Sequence, residues 1–180
     1  DTIPQYEKGA IHSFLSITNE PIYEQKNQFL VLPGDTIFNP AIFGRVRQLL
    51  QQESGGAFDA VFYRCVKAVN LSSSKREGLI SVLEVRNESG RQFSKKISQM
   101  NCNSRSEEIS FKQVVPVAIL CKETVEKIRE LSQTRDLNTL GDALSFISKK
   151  VGINAVELQG NSDFIDVDTP KDLTHEKKGG

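Results

Sequence analysis

The sequence predicts an α/β domain, and three observations carry that prediction. The apolar run Phe29-Leu30-Val31-Leu32 ends abruptly at Pro33-Gly34-Asp35. A strand covered on both faces has no polar side to alternate with, so such a run reads as a buried, parallel strand. A second long apolar run spans Phe111 to Cys121. Between and after these runs, apolar residues recur at helical spacing, as in Ile42, Val46, Leu49 and Leu50, and again in Leu140, Leu144, Ile147 and Val151. With 180 residues the chain is expected to form one domain over residues 1–175, able to bury roughly 70% of its unfolded surface. Residues 176–180, which include Lys177-Lys178-Gly179-Gly180, read as a disordered tail.

Composition narrows the partners. Lys+Arg and Asp+Glu are 23 each, so neither a nucleic acid nor an anionic membrane is expected as a partner. Residues 72 to 113 differ locally, with eight basic and five acidic side chains. Cys65, Cys102 and Cys121 are odd in number and show no CxxC spacing. That argues against a disulfide framework or a zinc site and for a reducing, cytoplasmic location. Cys65 and Cys121 lie in apolar runs and are expected in the core. No apolar stretch approaches the roughly 20 residues that span a bilayer.

In chain order, Gly9 precedes a helix over Ala10 to Ile17, whose Ile11, Phe14 and Leu15 share a stripe; Pro21 ends it. The strand at Gln28–Leu32 follows. Asn39-Pro40 signals a helix start, with Asn39 as N-cap, and Gly55-Gly56 stops that helix. Ala57 to Val66 reads as a strand. Leu79 to Val85 and Arg91 to Ile97 flank the turn Asn87-Glu88-Ser89-Gly90 as a hairpin. Pro116 within the second apolar run implies an edge position or a bulge, because proline has no N–H for the ladder. Helices over Glu123–Leu131 and Leu140–Val151, the latter capped by Gly152, lead to a strand at Ile153–Leu158. A last helix starts at Thr169-Pro170.

The acids come next. Asp35 closes an apolar strand, where ligands gather in open α/β sheets. It reads either as a turn cap or as a carboxylate holding a hard cation against a phosphate. Asp163, Asp166 and Asp168 precede Thr169-Pro170. They read either as complements to a helix dipole or as ligands. Asp166 and Asp168 would share a side in extended backbone, while Asp163 reads as a turn cap. His12 reads as a surface or packing histidine, with no acid or nucleophile beside it in sequence.

Three segments taken together, Lys8-Gly9-Ala10-Ile11-His12-Ser13-Phe14-Leu15, Phe29 to Asp35 and Asp163 to Leu173, resemble the nucleotidyltransferase superfamily in both motif and order. These enzymes join an NTP to a sugar phosphate or cofactor phosphate and release pyrophosphate. The resemblance implies a three-layer, Rossmann-like (GT-A-like) sheet with a small β-rich insertion, here residues 72–113, on the acceptor side. It implies Mg²⁺ held by Asp35 and Asp168 as the catalytic acids, with Asp166 as a further candidate ligand. It places Gly9, Ala10 and Gly34 at the nucleotide. Glu84, Arg86, Lys95 and Lys96 would face the acceptor, a phosphorylated small molecule. The ending Asp166-Val167-Asp168-Thr169-Pro170-Lys171-Asp172-Leu173 is similar to that of cofactor guanylyltransferases, and also to cytidylyl and sugar branches.

Two departures stand out. Glu84-Val85-Arg86 replaces the family's Glu-Lys-Pro acceptor turn, and no glycine-rich basic loop that would wrap the NTP phosphates occurs in the 180 residues. The chain alone is therefore expected to turn over NTP poorly. The family's first strand would lie beside Gln28–Leu32, so a preceding segment or a homo-oligomer partner is expected to cover that edge. Two other readings remain: a non-catalytic nucleotide-binding or regulatory module of the same fold, and a glycosyltransferase using a nucleotide-sugar, against which the single Asp35 argues. No serine-hydrolase triad, P-loop or GxGxxG is present.

Overall fold

A computed structural model describes residues 9–52, 56–67, 80–86, 93–100, 110–148, 152–159 and 164–167. Among them a six-stranded sheet forms the middle layer. Its strands are β1 (Gln28–Val31), β3 (Ala60–Lys67), β4 (Ile80–Arg86), β5 (Phe93–Met100), β6 (Ser110–Cys121) and β7 (Asn154–Glu157), in the order β1-β6-β3-β7-β5-β4. Two short strands, β2 (Thr36–Phe38) and β8 (Phe164–Asp166), pair separately as an antiparallel ribbon. The α-helices are α1 (Ala10–Leu15), α2 (Pro21–Glu24), α3 (Ala41–Gln52), α4 (Lys122–Thr134) and α5 (Leu140–Ile147).

Alternation along the strands builds two cores. Val61 and Tyr63 of β3, with Ala118 and Leu120 of β6, pack against Ile11, Leu15, Tyr23, Val125, Ile128 and Leu144 of α1, α2, α4 and α5. On the opposite face Ala60, Phe62, Val117 and Ile119 meet Ile42 and Val46 of α3, with Phe38 and Phe164 of the ribbon packed alongside. Successive residues of a strand point to opposite faces, so one strand feeds both cores. The result is the expected three-layer α/β arrangement.

The strand after Asn27 differs from its expectation. β1 is antiparallel to β6 and lies at the sheet edge rather than in a buried parallel pair. Phe29 and Val31 pack on the helical side, but Leu30, on the other face, is 44% exposed. The α3 and ribbon layer does not reach that far across the sheet, so the apolar run is covered on one face only. Among the described residues the parallel pair is β3 with β7. β4 and β5 form the expected hairpin, which joins β7 through Lys96 opposite Asn154 and extends the sheet at the edge away from β1.

Pro116 explains itself in the register. Val61 lies opposite Ala118 and Phe62 opposite Val115, so Pro116 and Val117 are looped out of the ladder. A central strand thus accommodates a residue without an N–H through a bulge. Asp59 fastens the adjacent corner. Its Oδ1 accepts from the Cys121 amide at 2.7 Å and its Oδ2 from the Thr124 hydroxyl at 2.6 Å, tying the start of β3 to the β6–α4 junction.

Several boundaries move for local reasons. α1 stops at Leu15 and tightens into a 3₁₀ turn over Ser16–Asn19, where the Ser16 and Thr18 hydroxyls bond back to the Ser13 and Leu15 carbonyls. Pro21 begins α2 instead of merely ending α1, its missing N–H being harmless at a helix start. Asn39 caps α3 as expected, its Oδ1 accepting from the Ala41 amide at 3.0 Å. α5 ends at Ile147 with Ser148 as its cap, not Gly152. Cys121 is buried, but Cys65 is exposed. Only part of the apolar run Ala60–Val66 is covered, and Cys65 lies beyond the covered part. The expected turn at residues 87–90, Cys102, Asp163, Asp168, the Thr169-Pro170 helix and the tail lie outside the described residues. No helix among the described residues is long and apolar enough to cross a membrane.

Candidate functional site

A cleft of about 640 Å³ opens on the helical face of the sheet, where four chain segments converge around Val61 of β3. Gly9, Ala10, Ser13 and Phe14 come from α1 and its approach. Val31 to Asp35 come from the end of β1 and the turn after it. Val114 to Ala118 come from the β6 bulge, and Thr139, Leu140, Gly141 and Leu144 from the start of α5. The cleft therefore brings together four residues singled out from sequence: Gly9, Ala10, Gly34 and Asp35. Its walls are mostly apolar, and Asp35 is the one acid among the described residues that line it.

Each contributor is placed by local chemistry. Gly9 holds φ at +96°, a conformation that strains any side chain, and a Cβ there would also lie 3.6 Å from the Asn138 carbonyl oxygen. The Ile11 amide donates to that same carbonyl at 3.2 Å, so α1 is pinned to the approach of α5. α5 itself starts on a capping box. The Thr139 hydroxyl accepts from the Asp142 amide at 3.1 Å, and the Asp142 carboxylate accepts from the Thr139 amide at 3.0 Å. Gly34 differs from Gly9, because a Cβ there would meet nothing within 4 Å; the openness of the turn, not its packing, is the feature.

The acid-bearing segments meet through the ribbon. Thr36 lies opposite Asp166, Ile37 opposite Ile165 and Phe38 opposite Phe164. The Val167 amide then donates to the Asp35 carbonyl at 2.8 Å. The chain leaving β8 thus runs directly beside Asp35, and Asp168 is the residue after Val167. Asp35 is exposed at this junction. Among the described residues no group of three or more His, Cys, Asp and Glu could hold a metal by itself. His12 is half-buried on α1 and does not line the cleft. The acceptor-side candidates are at the far end of the sheet, with Glu84 opposite Lys95 in the hairpin, Leu83 opposite Lys96, and Arg86 opposite Phe93.

Sequence reading did not find the contribution of the β6 bulge or of Thr139 and Leu140 to the cleft. Thr139-x-x-Asp142 is a legible capping motif, but nothing in one dimension shows that the helix it starts abuts Gly9. Asp59 was missed as well, being a single acid in an otherwise apolar strand. Titration at the core is shifted where charge is excluded. Burial, with the charge of Asp59 nearby, pushes the Cys121 thiol up to about 12, and burial together with the bond to Glu126 raises the Tyr23 phenol.

No protein-family model matches the chain, and none of the curated proteins matches it by sequence. Solved structures do match it in shape. UDP-glucose pyrophosphorylase complexed with UDP-glucose superposes with a TM-score of 0.58 at 17% identity, covering 88% of this chain and 57% of that one. The UTP-bound UGPase of Acinetobacter baumannii gives 0.61 at 15%, covering 93% and 54%. The inositol-1-phosphate CTP transferase of T. maritima gives 0.56 at 20%, covering 93% and 58%. The chain thus spans little more than half the length of each. What these matches share with it is an architecture, and the chain has the α/β fold of the sugar-phosphate nucleotidyltransferases.

Proposed function

We propose that this chain carries the nucleotide- and metal-binding part of a nucleotidyltransferase that joins an NTP to a phosphorylated sugar or cofactor precursor and releases pyrophosphate. The observation that carries the reading is the cleft itself, where Gly9-Ala10 and Pro33-Gly34-Asp35 share one lining and the chain leaving β8 meets Asp35 at the Val167 amide. In such a reaction an acceptor phosphate oxygen attacks the α-phosphorus, the bond to the bridging oxygen breaks, and pyrophosphate leaves with the electron pair. The acceptor is already nucleophilic, so the protein's work is alignment and neutralisation of charge.

A donor set of aspartates would suit a hard cation. Carboxylate oxygens suit Mg²⁺, which is usually held by one or two carboxylates with substrate phosphates completing the shell. Asp35 and Asp168 would hold it, with Asp166 as a further candidate, and the ion would offset charge between donor and acceptor phosphates. The apolar walls exclude water from base and ribose, and the open backbone at Gly9-Ala10 and Gly34 lets a nucleotide approach. Glu84, Arg86, Lys95 and Lys96 would receive the acceptor. Without a glycine-rich loop in the 180 residues, pyrophosphate release by this chain alone is expected to be slow. The edge of β1 away from β6 suits cover by a further strand from a longer chain or a second copy. We place its work in the cytoplasm, with no membrane or nucleic-acid partner.

A thermal-shift series with the four NTPs, with and without Mg²⁺, tests the reading. At ligand concentrations of 100 times Kd the stabilisation should approach about 2.7 kcal/mol, should require Mg²⁺, and should be lost in Asp35→Asn. Equal shifts without the ion, or an unchanged shift in the variant, would remove Asp35 from the site.

A further inference from the structure

The two acid-bearing segments meet on a ribbon only three residues long on each strand. An isolated two-stranded ribbon is marginally stable in water. What docks it matters for the site, and one side chain stands out. Arg64, on the face of β3 that carries Phe62, places its guanidinium carbon 4.7 Å from the centre of the Phe164 ring of β8. Its Nε donates to Gln113 Oε1 at 3.1 Å, and Gln113 is itself buried. The guanidinium is thus held by a neighbouring strand of the sheet and lies over the Phe164 ring of the ribbon.

We infer that Arg64 is a positioning residue for the junction of Val167 with Asp35, acting through Phe164. Only Ile165 and Asp166 separate Phe164 from Val167, whose amide donates to the Asp35 carbonyl at 2.8 Å. A ring held between Arg64 and the core of Val117 and Ile119, beside Phe38, therefore fixes the course of the chain from Phe164 to Val167, and with it the bond to Asp35. Only the guanidinium combines a cation over the ring with a lateral donor to Gln113. Lys would keep the charge but lose that geometry, and Met would keep the apolar stem alone. The inference rests on the proposed role of Asp35 and Asp168, but its structural part can be tested apart from it.

The test uses the full chain as wild type, Arg64→Met, Arg64→Lys, Phe164→Leu and the double variant, in two measurements. The first is amide hydrogen exchange at Val167, with Leu120 of β6 as an internal reference for global opening. Protection at Val167 should fall about tenfold in Arg64→Met and in Phe164→Leu, with Leu120 unchanged. Arg64→Lys should fall between, and the double variant should be no worse than either single one, as expected for residues acting through one contact. The second measurement is Mn²⁺ affinity in the presence of nucleotide, which should weaken in parallel. Unchanged exchange at Val167, or an equal fall at Val167 and Leu120, would overturn the inference and leave Arg64 as ordinary core cover. If the wild type takes up no Mn²⁺, the proposed function fails, and the exchange measurement still decides whether Arg64 positions the ribbon.

Discussion

At the residue scale, the buried polar groups decide more than their number suggests. Asp59 is 9% exposed and satisfies both the Cys121 amide and the Thr124 hydroxyl. Asp59→Ala should strand both donors in the core, destabilising the chain by about 2–4 kcal/mol in denaturant unfolding; a loss below about 0.5 kcal/mol would show that water replaces the carboxylate. Cys121 sets a pH dependence. Its thiol titrates near 9 when unfolded and is pushed up to about 12 in the fold, so above pH 9 the unfolded chain binds fewer protons than the folded one. Stability should therefore hold up to about pH 9 and decline from there toward pH 12, with the raised Tyr23 phenol adding to the decline. Cys121→Ala should flatten the first part of that decline in a pH series of melting curves. These groups were hard to see in the sequence. Cys121 reads as a core residue, but Cys65 reads the same way and is exposed, because an apolar run does not say how far the covering layer extends.

At the element scale, the helices and the hairpin were legible because each is written locally. Asn39-Pro40, the stripe of Ile42 and Val46, and the turn-rich stretch between β4 and β5 all act within a few residues. Strand pairing was not legible, since it depends on what lies alongside. Phe29 to Leu32 looks like a buried parallel strand by composition, yet β1 is an antiparallel edge strand with one covered face. Pro116 announced a bulge or an edge, and only the register of β6 against β3 chose the bulge. The hairpin carries its own prediction. If β4 and β5 receive an anionic acceptor, replacing Lys95 and Lys96 together by Ala should weaken acceptor binding about tenfold or more with little change in NTP binding, as read by separate titrations. Equal loss of both ligands, or of neither, would detach the hairpin from the acceptor.

At the scale of the whole molecule, three distant segments are gathered by the sheet into one place. Gly9 and Asp35 are joined across the cleft by packing of α1 and β1 on the β6 bulge, and Asp35 and Val167 by the ribbon. The motif resemblance implied a site at these segments, whereas the cleft walls from β6 and α5 have no signature of their own. The central claim is that the segment after β1 and the segment after β8 share one divalent cation with a nucleotide. Paramagnetic broadening by Mn²⁺ in the presence of NTP, read at each backbone amide, tests it most directly. The account predicts that amides of Gly34 and Asp35 broaden together with those of residues 166 to 168, and that Asp35→Asn abolishes both effects. Broadening confined to one of the two segments, or located elsewhere on the sheet, would contradict it.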